Sequence, residues 1–160
     1  MNKNGLINNI GFYYLIHEYI NSVTRKEIEK TLKHSSIEGF AKILGRNLAL
    51  RIMGNKMKLI RTRVDKIKFL VSDIWTSLFG KIVDKLETNN SGTYIITTEN
   101  FHLLNKISST NTQEIKNYVS YFKVFFKAFI KSIMRVFKIN STVTVNTDNY
   151  KKFVFNVLML

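Results

Sequence analysis

The sequence predicts an α+β fold in which four helices pack on a four-stranded antiparallel sheet, in the order α-α-α-β-β-α-β-β. Apolar residues recur every three or four positions in four long segments, which is the period of an amphipathic helix. In short runs near 93–107 and 143–157 they are instead mixed with β-branched residues or alternate with polar ones, as in strands. No repeat or linker interrupts the pattern, so residues 1–160 are expected to form a single domain.

Composition supports a substantial core and excludes several classes of protein. The chain of 160 residues is 45% hydrophobic and includes 12 Phe, 7 Tyr and 1 Trp. It contains no Cys, which excludes disulfides, thiolate metal sites and cysteine nucleophiles. No apolar run approaches the roughly 18 residues of a membrane-spanning helix. The first apolar patch carries His17 and Glu18 and lacks a cleavage site, so we expect a cytoplasmic protein without a signal peptide.

Two helices are predicted in the first third of the chain. Apolar residues follow one helix face from Leu6 to Val23, and the composition of 25–33 allows that helix to continue. Ser35 followed by Glu38 resembles a capping box, which predicts that the second helix begins there, and Gly54 suits its C-terminal cap. The apolar positions of this second helix are Phe40, Ile43, Leu44, Leu48 and Ile52.

A third helix is predicted after a second capping box, formed by Thr62 and Asp65. Its apolar face is too wide for a helix open to water on most sides, so we expect it in the core, with Trp75 buried. That face consists of Ile67, Leu70, Val71, Ile74, Trp75, Leu78, Phe79 and Ile82. The Asn-Asn-Ser-Gly stretch at 89–92 favours a turn and ends the region.

The remaining elements are two predicted hairpins on either side of a fourth helix. The first hairpin joins Thr93–Thr98 to Phe101–Ile107 through Glu99-Asn100. Thr110 and Gln113 resemble a third capping box, and the helix from Ile115 to Phe137 then has the clearest apolar period in the chain. The alternating runs Val143-x-Val145 and Phe153-x-Phe155-x-Val157 predict the second hairpin.

No arrangement of residues predicts catalysis, a metal site or a cofactor. His17, His34 and His102 lie far apart, and none has a partner at helical spacing. Three of the eleven carboxylates are explained as helix N-terminal residues, and the seven glycines form no phosphate-binding loop. The sequence therefore predicts a protein that is not an enzyme.

Net charge leaves anionic partners open. The chain carries a formal charge of +14, and Lys42–Lys68 holds nine basic residues against one acidic residue. Such a surface fits anionic lipid or nucleic acid, although no nucleic-acid reader motif occurs. The basic residues that we predict to face a membrane are Arg51, Lys56, Lys58, Arg61 and Arg63.

The segment "IKFLVSDIWTSLFGKIVDKLETNNSGTYIITTENFHLLNKIS" resembles the small subunits of the transport protein particle, the TRAPP vesicle-tethering complex, and most closely the subunit-six type. The resemblance rests on Asp73-Ile74-Trp75-Thr76, on a match to DxLxTNxxGxY at 84–94, and on FxLLxxxS at 101–108. Looser matches extend it to "GFAKILGRNL" and "INSTVTVN". The motif residues are Asp73, Trp75, Asp84, Leu86, Thr88, Asn89, Gly92, Tyr94 and Phe101.

The resemblance implies a non-catalytic adaptor of transport from the endoplasmic reticulum to the Golgi and within the Golgi. Such a subunit pairs with a same-fold partner of the subunit-three type, and the assembled complex activates a Rab GTPase while peripheral on these membranes. The subunit-three type carries an acylated Cys, and the absence of Cys here fits the subunit-six type.

The first two helices are predicted to form the partner interface, because the first offers more apolar and aromatic surface than its own domain needs. The predicted interface residues are Phe12, Tyr13, Ile16, Tyr19, Ile20, Phe40, Ile43, Leu44 and Leu48. Two alternatives stay open on the residues alone. One is an independent basic domain that binds anionic lipid or nucleic acid, and the other is a domain with an apolar cavity for a small molecule.

Overall fold

The computed structural model describes residues 3–54, 59–89, 91–99, 112–148 and 152–160, and for 3–10, 13 and 112 it describes the backbone only. Helices and one four-stranded antiparallel sheet make up the described part, which confirms the predicted α+β fold. The helical elements are α1 (Lys3–Thr24), α2 (Lys30–Met53), α3 (Arg63–Lys68), a π-helical segment (Phe69–Ile74), α4 (Trp75–Phe79) and α5 (Thr112–Val136). The strands are β1 (Lys85–Thr88), β2 (Thr93–Thr98), β3 (Ser141–Thr147) and β4 (Phe153–Met159).

Helices α1 and α2 lie side by side and run antiparallel. The rings of Tyr19 and Phe40 stack with their centroids 4.0 Å apart, and the Lys33 ammonium donates to the Thr24 carbonyl over 2.8 Å. This last bond satisfies a carbonyl that the end of α1 leaves without a partner inside the helix. The predicted continuation of the first helix through 25–33 is therefore wrong, because the chain reverses between Thr24 and Lys30.

The start of α2 also differs from the prediction. Glu29, with ψ at 147°, precedes the first helical residue, so Ser35 lies inside the helix and caps nothing. Glu38 instead pairs with Lys42 one turn further on, at 3.2 Å. At the other end Gly54 is the C-terminal cap with a positive φ of 36°, as predicted, since glycine adopts this backbone conformation without strain.

The third helical rod begins at the predicted capping box. The Thr62 hydroxyl accepts from the Asp65 amide at 3.1 Å, and the Asp65 carboxylate accepts from the Thr62 amide at 2.8 Å. From there α3, the π-helical segment and α4 follow one another without a break in helical backbone until Gly80, whose φ of 69° ends the rod. Ile82, predicted on this helix, lies beyond its end and is 62% exposed, so that assignment is wrong.

The first hairpin has a different partner strand from the one predicted. Strand β2 pairs with β1 on one side and with β4 on the other, so both of its edges are used. Between β1 and β2 the Asn89 side chain accepts from the Ser91 and Thr93 amides, and Gly92 takes a φ of 87°. The predicted pairing of 93–98 with 101–107 is therefore wrong; 101–107 and Thr110 lie outside the described residues.

The second hairpin and the core match the prediction. Strands β3 and β4 are antiparallel, and the sheet has the order β1-β2-β4-β3. Trp75 is fully buried and contacts Phe126 and Phe155, with ring centroids 6.3 and 5.3 Å away. Helix α5 packs against α2 so closely that a Cβ at Gly45 would lie 2.8 Å from the Phe129 carbonyl oxygen. The core therefore lies between the sheet, α5 and the third rod.

Candidate partner interface

Two of the predicted interface residues belong to the chain's own core. Ile16 and Ile20 have no exposed surface and join the main apolar cluster. The periodicity that singled them out marks the face of α1 that packs inward, so they present nothing to a partner, and their assignment to the interface is wrong. Tyr13 was predicted with them, and its side chain lies outside the described residues.

Five other predicted interface residues are only partly exposed and pack on the core: Phe12, Tyr19, Phe40, Leu44 and Leu48. Tyr19 and Phe40 stack on each other, and the Tyr19 hydroxyl donates to the Ser36 carbonyl at 3.2 Å. These contacts join α1 to α2 within the chain. They hold the two helices in a fixed relation, and any contribution to a partner interface comes from the edges left exposed.

Ile43 is the predicted interface residue that lies on the surface, with 65% of its surface exposed. The sequence reasoning missed three similar residues, Leu15, Leu32 and Leu50, each about half exposed. Leu32, Ile43 and Leu50 are separated by eleven and seven residues, spacings that return to the same side of a helix. We call these four residues the α1–α2 face: Leu15, Leu32, Ile43 and Leu50.

The packing of the helices brings Leu15 to the same side as the α2 residues. It lies one turn before Tyr19 on α1, and Ile43 lies three residues after Phe40 on α2. Because α1 and α2 run antiparallel about the stacked Tyr19–Phe40 pair, both exposed aliphatic residues are displaced in the same direction along the helix axes from that pair. We therefore treat the exposed aliphatic residues of the two helices as one candidate surface.

Two arginines on the same helix as Ile43 carry exposed positive charge. Arg46 and Arg51 are exposed on α2, and no carboxylate of the described residues pairs with either guanidinium. Lys42 is engaged by Glu38. Of the residues predicted to face a membrane, Arg51 lies in the last turn of α2, Arg61 precedes the N-cap of α3 and Arg63 is the first residue of α3; all three are exposed. Lys56 and Lys58 lie outside the described residues.

The motif residues near Trp75 and the first hairpin differ in how far they are buried. Trp75 and Tyr94 are buried, and Asp73 and Gly92 are partly exposed. Asp84, Leu86, Thr88 and Asn89 lie on the surface, and Phe101 is outside the described residues.

Asp84 ties the start of β1 to the end of β2. It accepts from the Lys81 ammonium at 2.8 Å and from the Glu99 amide at 2.6 Å. Partial burial raises the pKa of this carboxyl, but these hydrogen bonds outweigh the effect and hold the pKa below its ordinary value. The carboxylate thus stays charged and acts as a clamp on the hairpin.

The histidines serve packing. His17 Nδ1 lies 3.0 Å from the Tyr118 hydroxyl, which links α1 to α5, and His34 meets the ring of Tyr121 edge-on. Burial raises the pKa of Tyr118 to about 12, with the charge of Glu18 adding to the effect. Over the described ranges, no three His, Cys, Asp or Glu side chains gather as metal ligands would. His102 is outside those ranges.

The fold and this surface can be compared with known proteins. Residues 12–158 match the model of the transport protein particle (TRAPP) component family. Trafficking protein particle complex subunit 6b of Danio rerio is 32% identical over 94 residues, which cover 59% of this chain and 59% of that protein. Human trafficking protein particle complex subunit 6B is 24% identical over 152 residues, covering 92% of this chain and 94% of the human one.

One solved structure shares the fold. Trafficking protein particle complex subunit 3 from Naegleria fowleri, crystallised covalently bound to palmitic acid, superimposes with a TM-score of 0.73 and 14% sequence identity, over 94% of this chain and 96% of its own. No described helix is long and apolar enough to cross a membrane.

Proposed function

The chain belongs to the family of transport protein particle (TRAPP) components, and we propose that it acts as a non-catalytic subunit of such a complex by pairing with a partner of the same fold. The subunit-six resemblance read from the sequence agrees with the relatives from zebrafish and human, both named as subunits of that type. We take residues 1–160 as a single domain in this role. The partner proposed is of the subunit-three type.

The observation that carries the proposal is the α1–α2 face. Isolated exposed aliphatic residues are ordinary, but here Ile43 is 65% and Leu50 45% exposed on one side of α2, and Leu15 of the neighbouring α1 is 49% exposed. Burying such a surface against a second chain removes apolar area from water, the main source of binding free energy. Central anchors in such an interface typically contribute about 2 kcal/mol or more each.

The charges around the face indicate the partner's chemistry. Arg46 and Arg51 lack carboxylate partners in the described part of the chain and lie on the same helix as Ile43. A partner that covers the apolar residues would bring its own rim close to these guanidinium groups. Acidic residues there would form charge-assisted contacts and speed association, so we expect an acidic rim on the partner.

The cellular role follows from the family. We infer that the assembled complex activates a Rab GTPase and sits peripherally on membranes of the endoplasmic reticulum and the Golgi. We assign the activity to the assembly and give this chain a non-catalytic part in it. The isolated chain should therefore leave the rate of nucleotide exchange on a Rab unchanged, and acceleration to the level of the whole complex would contradict this role.

Co-purification with the partner tests the pairing. The double variant Ile43→Asp/Leu50→Asp places two carboxylates on the α1–α2 face without touching buried residues. Ile82→Asp is the matched control, because Ile82 is 62% exposed and lies beyond the third rod. We expect the double variant to fold, as judged by circular dichroism, and to lose the partner on an affinity column, whereas the control keeps it. Equal retention of the partner by all three proteins would place the interface elsewhere.

A further inference from the structure

A small open pocket of about 120 Å³ lies between α2 and α5. The helices pack closely here, because Gly45 touches α5, and Ala41 and Ala49, one turn before and after it, are buried on the same face of α2. The lining residues are Glu38 and Lys42 of α2 and Lys127, Ala128, Lys131, Ser132 and Arg135 of α5. We call this the α2–α5 pocket.

The bottom of the pocket is small and uncharged. Ala128 and Ser132 are buried, with 4% and 7% of their surface exposed. The Ser132 hydroxyl donates to the Phe129 carbonyl at 2.8 Å, so its hydrogen is already used. Lys127 and Arg135 are exposed, and Lys131 is half-buried. The pocket is therefore a shallow neutral hollow, and its binding groups are the cationic side chains around it.

The lining carries a positive charge that the chain itself does not neutralise. It contains four cations and one carboxylate, which leaves a formal charge of +3. Glu38 pairs with Lys42 at 3.2 Å. Within the described ranges, no carboxylate pairs with Lys127, Lys131 or Arg135. Three of the four cations are therefore left to meet a ligand.

The effect of this arrangement on α5 also indicates an anion. Lys127, Lys131 and Arg135 follow one another at intervals of four residues, so they share one side of the helix. Like charges at this spacing repel each other and weaken a helix. Glu114, the acidic residue of α5, lies in the first turn, about 20 Å along the helix axis from Lys127. An anion bound among the three cations would remove a repulsion that the chain leaves in place.

The chemistry of the lining favours a phosphate monoester. At pH 7 such a group carries a charge of about −1.5 to −2 and has three acceptor oxygens. Lysine ammonium groups and an arginine guanidinium bind phosphate oxygens through charge-assisted hydrogen bonds. Because the group is compact, it can meet cations from neighbouring helical turns together. Its charge also matches the lining better than the single charge of a carboxylate does.

We propose that the α2–α5 pocket binds a phosphate monoester, whose oxygens accept from Lys127, Lys131 and Arg135. The phosphate belongs to a soluble inositol phosphate or to the same head group on a lipid, since both present the same anion. The pocket shares no residue with the α1–α2 face or with the residues predicted to face a membrane. This assignment and the proposed function can therefore fail separately.

Isothermal titration calorimetry of the full chain with inositol trisphosphate, which carries three phosphate monoesters, tests the site. We expect one saturable site, and the affinity should fall about tenfold or more for Lys127→Glu and for Lys131→Glu, the change expected when a hydrogen bond to a charged group is lost. Each of these substitutions places a carboxylate between cations at helical spacing, so α5 should stay folded. Glu38→Gln should instead tighten binding by about twofold to fivefold, because it removes a repelling charge and frees Lys42.

Lys116→Glu is the matched control. Lys116 is exposed on the same helix and lies about 16 Å before Lys127 along its axis. That distance exceeds the Debye length of about 8 Å at physiological salt, so this charge reversal should change the affinity by less than about twofold. Circular dichroism and thermal unfolding check that every variant is folded.

Co-sedimentation with vesicles distinguishes the two sources of phosphate. Phosphatidylcholine vesicles that contain phosphatidylinositol phosphate are compared with vesicles that contain phosphatidylserine at the same total charge. A preference for the first that Lys131→Glu removes assigns the phosphate to a lipid, and binding of the trisphosphate without that preference assigns it to a soluble molecule. The absence of both, or losses as large for Lys116→Glu as for the pocket variants, would overturn the proposal.

Discussion

The hydrogen bond between Trp75 and Thr98 gives a quantitative test of how the third rod is fixed to the sheet. The Trp75 indole N–H donates to the Thr98 hydroxyl at 3.1 Å, and both side chains are fully buried. Each therefore depends on the other to satisfy a polar group that water does not reach. The perturbation is a double-mutant cycle with Trp75→Phe, Thr98→Val and the two together.

The structure sets the expected magnitudes. Thr98→Val leaves the indole N–H without its acceptor, which should lower the free energy of unfolding by about 1–3 kcal/mol. Trp75→Phe should lower the free energy of unfolding by a comparable amount, because the Thr98 hydroxyl loses its donor. The smaller ring also leaves a cavity, which lowers the free energy of unfolding further. Complete truncation to Ala should cost about 3–5 kcal/mol. The double variant removes both polar partners, so its loss should be smaller than the sum of the single losses by about 1 kcal/mol or more.

Urea unfolding followed by far-ultraviolet circular dichroism measures all four proteins, including those that lack the tryptophan. Thr97→Val is the matched control, because neighbouring residues of a strand point to opposite faces and Thr97 does not share the indole contact. Combined with Trp75→Phe, it should be additive. If the losses for Trp75→Phe and Thr98→Val also add to within about 0.3 kcal/mol, the two side chains are not coupled and the prediction is wrong. A loss of unfolding free energy below about 1 kcal/mol for Trp75→Ala would likewise contradict the burial of Trp75.

Three further predictions concern the helices. Gly45→Ala should destabilise the chain by about 1–3 kcal/mol in urea unfolding, because the added methyl group would meet Ser132 and the Phe129 carbonyl. Gly39→Ala is the control: it has open space around it and should stabilise the chain by up to about 1 kcal/mol. Thr62→Ala should lower the unfolding free energy by about 1 kcal/mol through loss of the α3 cap, and an unchanged urea midpoint would contradict this. Hydrogen bonds from Thr62 lower the pKa of Asp65, so its stabilisation is complete above the unfolded pKa and is lost as pH falls through the folded pKa. The wild-type protein should therefore lose more stability than Asp65→Asn between about pH 5 and about pH 2, and parallel losses in acid urea titrations would argue against it.

The sequence predicted the structure correctly where a strong hydrophobic period runs through a whole element. Helix α5 and the β3–β4 hairpin follow uninterrupted amphipathic patterns, and Thr62 with Asp65 forms the predicted cap. Strand β1 was missed for a physical reason. Lys85–Thr88 is short, mostly polar and exposed on all four residues, so it has no buried face to impose a period-two pattern. The segment becomes a strand because it pairs with β2, and hydrophobic periodicity gives no information about that pairing.

The partner surface was only partly predictable for a related reason. An amphipathic period marks the face of a helix that is buried, and in a subunit that face includes the chain's own core. Ile16 and Ile20 follow the period and are internal. Leu32, Ile43 and Leu50 depart from the buried face of α2, and apolar residues off that face were the available signal. The cap at Ser35 failed because helix-forming residues upstream already extend α2 to Lys30.

Site-specific crosslinking tests the central claim, that this TRAPP component pairs with a same-fold subunit through α1 and α2. Because the chain has no Cys, Ile43→Cys creates a single thiol to which a benzophenone photocrosslinker can be attached. Leu50→Cys and Ile82→Cys are labelled in the same way. In the complex purified with the subunit-three-type partner, we expect a covalent heterodimer from positions 43 and 50 and none from position 82. Crosslinking to the partner from position 82, with none from 43 or 50, would contradict it.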